Sequence, residues 1–424
     1  MQHPEPKLQN PFNRLSILFQ EFLRQEAAGG VILVACAVIA MAWANSAWSS
    51  SYHELLASVI TVKWSGVGVE KPLLLWINDG LMAVFFFLVG LEIKREITGG
   101  ELAGFRKAAL PAAAAIGGMV VPALFYVAFN WGGEGLRGWA VPMATDIAFA
   151  IGALALVGPR VPVTAKVFLV ALAIVDDIGA VLVIALFYTN QIHTDALVSA
   201  ALALLVLAVL NRAGCRYAVP YILVGVVLWY FILKSGVHAT VAGVLAALTV
   251  PGKPRTPEET GGPDSAVPHG EEASRAHSAH HSLVERMEHA LHPWVAFFIM
   301  PVFALANAGV TLEPGFLSGF AHPISLGIMT GLFFGKQIGI LGASWLAVRC
   351  NLAELPAGVS WRQIHGLSVI AGIGFTMSLF IAALGFGPGQ SLDTAKTAVL
   401  TASLLAGIVG WLLLRFSPAT HEQA

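Results

Sequence analysis

Residues 167–187 read VFLVALAIVDDIGAVLVIALF, an apolar run interrupted by charge only at the adjacent Asp176 and Asp177. At about 1.5 Å of rise per residue, such a run crosses a hydrocarbon layer about 30 Å thick, so it predicts a transmembrane helix. The carboxylates then lie roughly 12 to 14 Å in, near the midplane. Successive helical positions point about 100° apart, so the two cannot face the same way, yet both can border one cavity. Ala173, Gly179 and Ala180 beside them are small enough to leave room for one.

The pattern recurs throughout the chain. Its 424 residues are 57% hydrophobic and 12% charged, with a mean hydropathy of +0.74, far more apolar than a soluble domain. Apolar stretches begin near residues 27, 72, 108, 138, 167, 195, 217, 235, 290, 323, 363 and 395. They predict an all-α polytopic membrane protein with about twelve transmembrane helices. The organisation is a cytoplasmic N-terminal segment over 1–26, helices one to eight over 27–251, a polar cytoplasmic loop over 252–289, helices nine to twelve over 290–414 and a cytoplasmic tail over 415–424. The first stretch contains Ala42-Trp43-Ala44, which resembles a signal-peptidase site, but it is longer than a signal core and reads as a retained span.

The stretches starting near 217 and 235 nearly fuse at Leu233-Lys234-Ser235, which makes eleven spans the alternative. With twelve spans and both termini inside, 18 of the 24 Lys and Arg lie on the inner side and 5 on the outer side, with Lys336 inside a span. Merging the two stretches would invert the last four helices and weaken this bias, so the positive-inside rule favours twelve.

A formal net charge of −1 without a basic patch excludes nucleic-acid binding. Cys36, Cys215 and Cys350 suggest no disulfide framework. Gly252 to Glu288 is rich in Pro, Gly, Glu and His, including His269, His277, His280 and His281, and reads as a flexible loop. Those histidines lack Cys partners or a metal-site spacing. Neither a second soluble domain nor a cofactor is expected.

Within the spans the deep ionisable residues are Asp146, Asp176, Asp177 and Lys336, with Asp79 nearer the outer end of its helix. Each costs about 2.5 to 3.5 kcal/mol at mid-membrane, so the four together cost on the order of 10 to 14 kcal/mol, comparable to a domain's net stability. Structural salt bridges do not account for them, because three Asp and one Lys leave a charge of −2. Spare negative charge wants protons or a cation. Two charges roughly 6 Å apart at an effective dielectric near 20 repel by about 3 kcal/mol, so the pair favours holding a proton until a cation arrives. A carboxylate that holds either protons or a metal ion, opened alternately to each side, exchanges one for the other.

Two spans have helix-unfriendly centres: Pro142 and Thr145 precede Asp146, and Gly372-Ile373-Gly374 precedes Phe375-Thr376. They occupy the second position of the helix triplets 108–188 and 323–414, which start on opposite sides and so form an inverted repeat in topology. Broken helices expose partial positive N-termini and partial negative C-termini, for which Asp146 and Lys336 are suitably placed counter-charges.

Several motifs carry a resemblance to a known family. Ala144-Thr145-Asp146-Ile147-Ala148-Phe149, Ala173 to Gly179, Gly335-Lys336 and Gly372 to Ser378 resemble the NhaA-type sodium/proton antiporters of bacterial inner membranes. Asn78-Asp79-Gly80, Val89-Gly90-Leu91-Glu92, Ser235 to Thr240 and Leu291-His292-Pro293-Trp294 agree, in order, over nearly the whole chain. The family is itself a standard example of inverted repeats with interrupted, crossing helices.

The resemblance implies that Asp177 is a principal cation ligand and that Asp176 pairs with Lys336 at rest. It implies that Thr145 and Asp146 lie at the helix crossing, where Asp146 offsets helix-end charge and assists the ion. It further implies exchange of inward protons for outward Na⁺ or Li⁺, with more protons than cations per cycle and activation at alkaline pH. Glu92, Arg95, Glu96, Glu288, His289 and His292 resemble the cytoplasmic pH-responsive cluster, with His238 a further candidate. Residues 252–288 form a longer loop than the family leads one to expect. A homodimer in the bilayer is one possible assembly.

Other classes fit less well. A retinal-type pump pairs a membrane Lys with Asp counter-ions but has seven spans. An intramembrane aspartyl protease carries Gly-x-Gly-Asp, whereas Gly374 is followed by Phe375. Gly331 to Gln337 superficially resembles a phosphate loop, but its glycines are too close and Gln337 stands where Ser or Thr is needed. A sodium-coupled symporter is the serious alternative.

Overall fold

The computed structural model describes residues 11–64, 67–100, 102–189, 191–252, 282–311 and 316–417. The His-rich tract and the extreme termini lie outside these described residues. The elements, in order, are α1 (Pro11–Ala44), α2 (Ser49–Ala57), β1 (Val59–Trp64), β2 (Val67–Pro72), α3 (Leu73–Gly99), α4 (Phe105–Asn130), α5 (Ile147–Val157), α6 (Val163–Phe187) and α7 (Thr194–Arg212). There follow α8 (Ala218–Ser235), α9 (Val241–Thr249), α10 (Leu283–Asn307), α11 (Pro323–Arg349), α12 (Trp361–Ile370), α13 (Phe375–Phe386) and α14 (Gln390–Arg415).

Among the described residues, eight helices are long and apolar enough to cross a membrane, and up to 11 if each bent pair is counted as one span. One bent pair joins α1 to α2 at 111°, so α2 turns sharply away from the axis of α1. The other two are the interrupted spans expected from the sequence. Glu134–Met143 and α5 meet at 44°, and α12 and α13 meet at 47°.

The sequence-based count of twelve includes α9, whose nine residues rise only about 14 Å. It packs against α3 and α8 as a half-length helix entered through the irregular residues 236–240. Two further features depart from the expected pattern. An antiparallel hairpin, with Thr61 opposite Glu70, precedes α3. The helix that carries the ninth apolar stretch starts earlier, at Leu283, because Ser282 accepts from Glu285 N–H while the Glu285 side chain accepts from Ser282 N–H in a capping box.

The first helices of the two triplets, α4 and α11, cross in direct backbone contact. A Cβ at Gly117 would sit 2.2 Å from Gly339 O, and one at Gly339 would sit 2.1 Å from Gly117 O. Only glycine permits such backbone contact, the usual device by which membrane helices approach closely. Gly339 lies one turn from Lys336, so the crossing sets the depth and direction of that lysine. Around it runs the main core, which includes Leu172, Ile328, Leu332, Ile340, Ile370 and Phe380, all at most 1% exposed.

Candidate functional site

At the break before α5, Asp146 is the N-cap. Its Oδ1 accepts from Phe149 N–H at 3.0 Å, and its Oδ2 accepts from Thr376 N–H at 3.0 Å and from the Thr376 hydroxyl. One carboxylate therefore serves the N-terminal ends of both α5 and α13, where helix dipoles place partial positive charge. The backbone joins the same crossing, since Asp146 N–H donates to Ile373 O at 2.7 Å. Ser378 Oγ donates to Val141 O at 2.7 Å, tying α13 to the turn before the first break.

The opposite charge is matched too. Thr145 Oγ1 donates to Ala371 O, at the C-terminal end of α12, at 2.9 Å, and accepts from Lys336 Nζ at 2.9 Å. Lys336 also donates to Asp176 Oδ2 at 2.9 Å. Lys336 is 0% exposed, and Asp146, Asp176 and Asp177 are each 1% exposed. The four groups singled out by charge and depth are thus brought together with Thr145 at the crossing of the two interrupted spans.

The two aspartates differ in what they touch. Asp176 faces Lys336 with one oxygen. Both oxygens of Asp177 are buried and have no hydrogen-bond partner among the described residues. Asp177 instead borders a small cavity of about 60 Å³ together with Asp146, Glu92, His292, Met300 and Met377. A cavity of that size admits a single ion or one or two waters.

The remaining sequence candidates separate into two places. Glu92 and His292 line the cavity beside Asp177. One turn along α3, Arg95 is ion-paired to Glu288 and to Glu96, the latter at 3.0 Å. His289 turns its Nδ1 to Glu285 O at 2.7 Å. His238 belongs to neither group. Its Nε2 is 3.6 Å from Asp79 Oδ1, Asp79 Oδ2 is 2.5 Å from Lys71 Nζ, and its ring lies edge-on to Phe380. The turn after Ser235 carries it to the end of α3 that holds Asp79, apart from Glu92, Arg95 and His292.

Thr376, Ser378 and Ala371 were not singled out as site residues. Hydroxyls straight after Gly372-Ile373-Gly374 were the available signal, since a broken helix leaves free N–H and C=O groups for such side chains to meet.

Half-helices meeting around a buried lysine and a surplus of carboxylates are the arrangement of a cation transporter of the interrupted-helix class. The chain belongs to the Na+/H+ antiporter 1 family, whose pattern it matches over residues 20–414. It is 49% identical to the Na(+)/H(+) antiporter NhaA of Oleidesulfovibrio alaskensis, covering 96% of this chain and 95% of that protein. It is 52% identical to the Na(+)/H(+) antiporter NhaA of Rhodospirillum rubrum, over 94% of this chain and 98% of the relative. The corresponding protein of Bordetella parapertussis is 48% identical over 96% of this chain. These relatives are named as transporters, not enzymes, and the family supports Na⁺/H⁺ exchange.

Proposed function

We propose that this chain exchanges cytoplasmic Na⁺ or Li⁺ for external H⁺ across a bacterial inner membrane, with both termini in the cytoplasm. The observation that carries the reading is Asp177, a fully buried carboxylate without a hydrogen-bond partner among the described residues, at the edge of a cavity it shares with Asp146. A bare buried carboxylate must be neutralised by a proton or a cation. Either occupant excludes the other. Exchange then needs only that the cavity open alternately to each side.

Asp177 is the principal cation ligand in this scheme, and Asp176 joins it once Lys336 lets go. Thr145 and Asp146 hold the broken helices and offer further oxygens to the ion. Release of a proton from Lys336 as Asp176 takes the cation supplies a second proton, so the cycle moves net charge. Glu92 and His292 at the cavity, with Arg95, Glu96, Glu288 and His289 beyond, make the response to pH, and His238 with Asp79 acts from the other end. No resident cofactor takes part, and a homodimer is the assembly we favour.

The deciding experiment uses inside-out vesicles holding an acid interior, to which Na⁺, Li⁺ or K⁺ is added at a series of pH values. Na⁺ and Li⁺ are expected to dissipate the gradient at alkaline pH. A gradient indifferent to Na⁺ throughout the range would rule out antiport.

A further inference from the structure

Lys336 follows a stretch of helix that is wound differently from the rest of α11. Over Gly331–Gly335 the ladder widens to a π turn, in which Lys336 N–H donates to Gly331 O, five residues back. Such turns are rare, are mostly single turns inside α-helices, and are frequent at functional sites. Leu332, within the turn, is fully buried, and its carbonyl lies where a Cβ on Gly372 would be only 2.5 Å away. The turn is therefore held on one side by the break between α12 and α13.

It is held on the other side by side chains. Gln337 Nε2 donates to Phe333 O, inside the turn, at 2.7 Å. That bond fixes the amide so that Oε1 points away from α11, where it lies 3.1 Å from His365 Nε2. An amide oxygen can only accept, so the His365 ring donates through Nε2–H. His365 sits on α12, and its carbonyl accepts from Ser368 Oγ at 2.7 Å. A chain of hydrogen bonds thus runs from the first half of an interrupted span to the turn that presents Lys336.

We propose that Gln337 and His365 form a positioning clamp that holds the π turn so that Lys336 reaches Asp176 and Thr145. Neither residue touches the ion; both act through Lys336. This rests on the reading of Lys336 as the partner that Asp176 releases when a cation binds. At alkaline pH, where protons are scarce, Lys336 is the main competitor of Na⁺ for Asp176. Loosening the clamp therefore weakens the competitor and tightens Na⁺.

The test uses the full chain in proteoliposomes at about pH 8.5, with Na⁺-driven proton flux as the readout. Gln337→Leu keeps the volume and removes both hydrogen bonds. His365→Leu removes the donor at the rim of an open groove formed with Ile338, Leu341, Trp345, Trp361 and Arg362, and serves if the first variant does not fold. Each should lower the Na⁺ KM by about threefold or more while maximal flux stays within about twofold. His365→Gln, which restores a donor, should return KM to the wild-type value.

Wild-type KM in both leucine variants would overturn the clamp, as would His365→Gln behaving like His365→Leu. Lys336→Arg, measured alongside, separates the two readings. If it too leaves KM and the proton-to-sodium ratio unchanged, the role given to Lys336 fails; if it alters them while the clamp variants do not, only the clamp fails.

Discussion

Lys336 Nζ and Asp176 Oδ2 stand 2.9 Å apart with both side chains at most 1% exposed, joining two helices that contribute to different halves of the inverted repeat. A buried pair is weak as a net stabiliser, but removing one partner strands the other charge. Lys336→Ala is therefore expected to lose about 3 to 5 kcal/mol of stability. Neutralising both, as Asp176→Asn with Lys336→Gln, should recover most of that loss. Thermal unfolding in detergent measures both, and a double variant no more stable than Lys336→Ala would show that the stranded charge is not the cause.

Asp177 leads to a different expectation, because no described basic group touches it. Asp177→Asn should abolish Na⁺ and Li⁺ flux while leaving thermal stability equal to or above that of the wild type, since a neutral amide in that cavity is cheaper than a carboxylate. Flux and unfolding measured on one preparation decide the matter. Retained flux would remove Asp177 from the ion path.

Asp146 should behave in the opposite way. It accepts from the N-terminal ends of both α5 and α13, so Asp146→Ala is expected to cost about 2 to 4 kcal/mol. Asp146→Asn keeps an acceptor and should cost about half as much. Equal losses in the two variants would mean that charge, not hydrogen bonding, dominates.

The α4–α11 crossing tests packing alone. Gly117→Ala and Gly339→Ala each drive a methyl to within 2.2 Å of a backbone oxygen and should sharply reduce folded yield. Gly342→Ala, in open space one turn further along, is the control and should be neutral. Size-exclusion profiles after detergent extraction read the difference.

In the exchange proposed above, competition at the carboxylates sets the pH dependence. When one proton competes with one cation, the apparent Na⁺ KM rises about tenfold for each unit of acidification below the point where the site begins to protonate. Flux measured against Na⁺ at several pH values gives that slope. A flat dependence would mean that proton and sodium occupy separate groups.

Depth and charge balance made much of this site legible in the sequence. Asp146, Asp176, Asp177 and Lys336 stand out because each is costly in lipid and together they do not cancel. The breaks before Asp146 and Phe375 were visible through Pro142 and the Gly372–Gly374 pair. Contacts that depend on how distant helices cross were not. Nothing local announces that Asp146 N–H meets Ile373 O, or that Gln337 reaches His365. The π turn over Gly331–Gly335 carries no signal either, because shifting a hydrogen bond by one residue leaves an apolar pattern unchanged. The hairpin over 59–72 was hidden by brevity, and the meeting of His238 with Asp79 was hidden because sequence gives proximity along a chain, not the end of the bundle at which a turn deposits a side chain.

The bonds of Asp146 and Thr145 to Ile373, Thr376 and Ala371 have a mechanical corollary. Four half-helices laced together at one knot resist sliding past each other singly and are tied as a block. If exchange proceeds by alternating access, the yielding seam is the one where α3 and α10 bring Glu92, His292 and Met300 against that block. The cavity beside Asp177 lies on that seam, so a crosslink between α3 and α5 would jam the machine while leaving every ion-binding group intact.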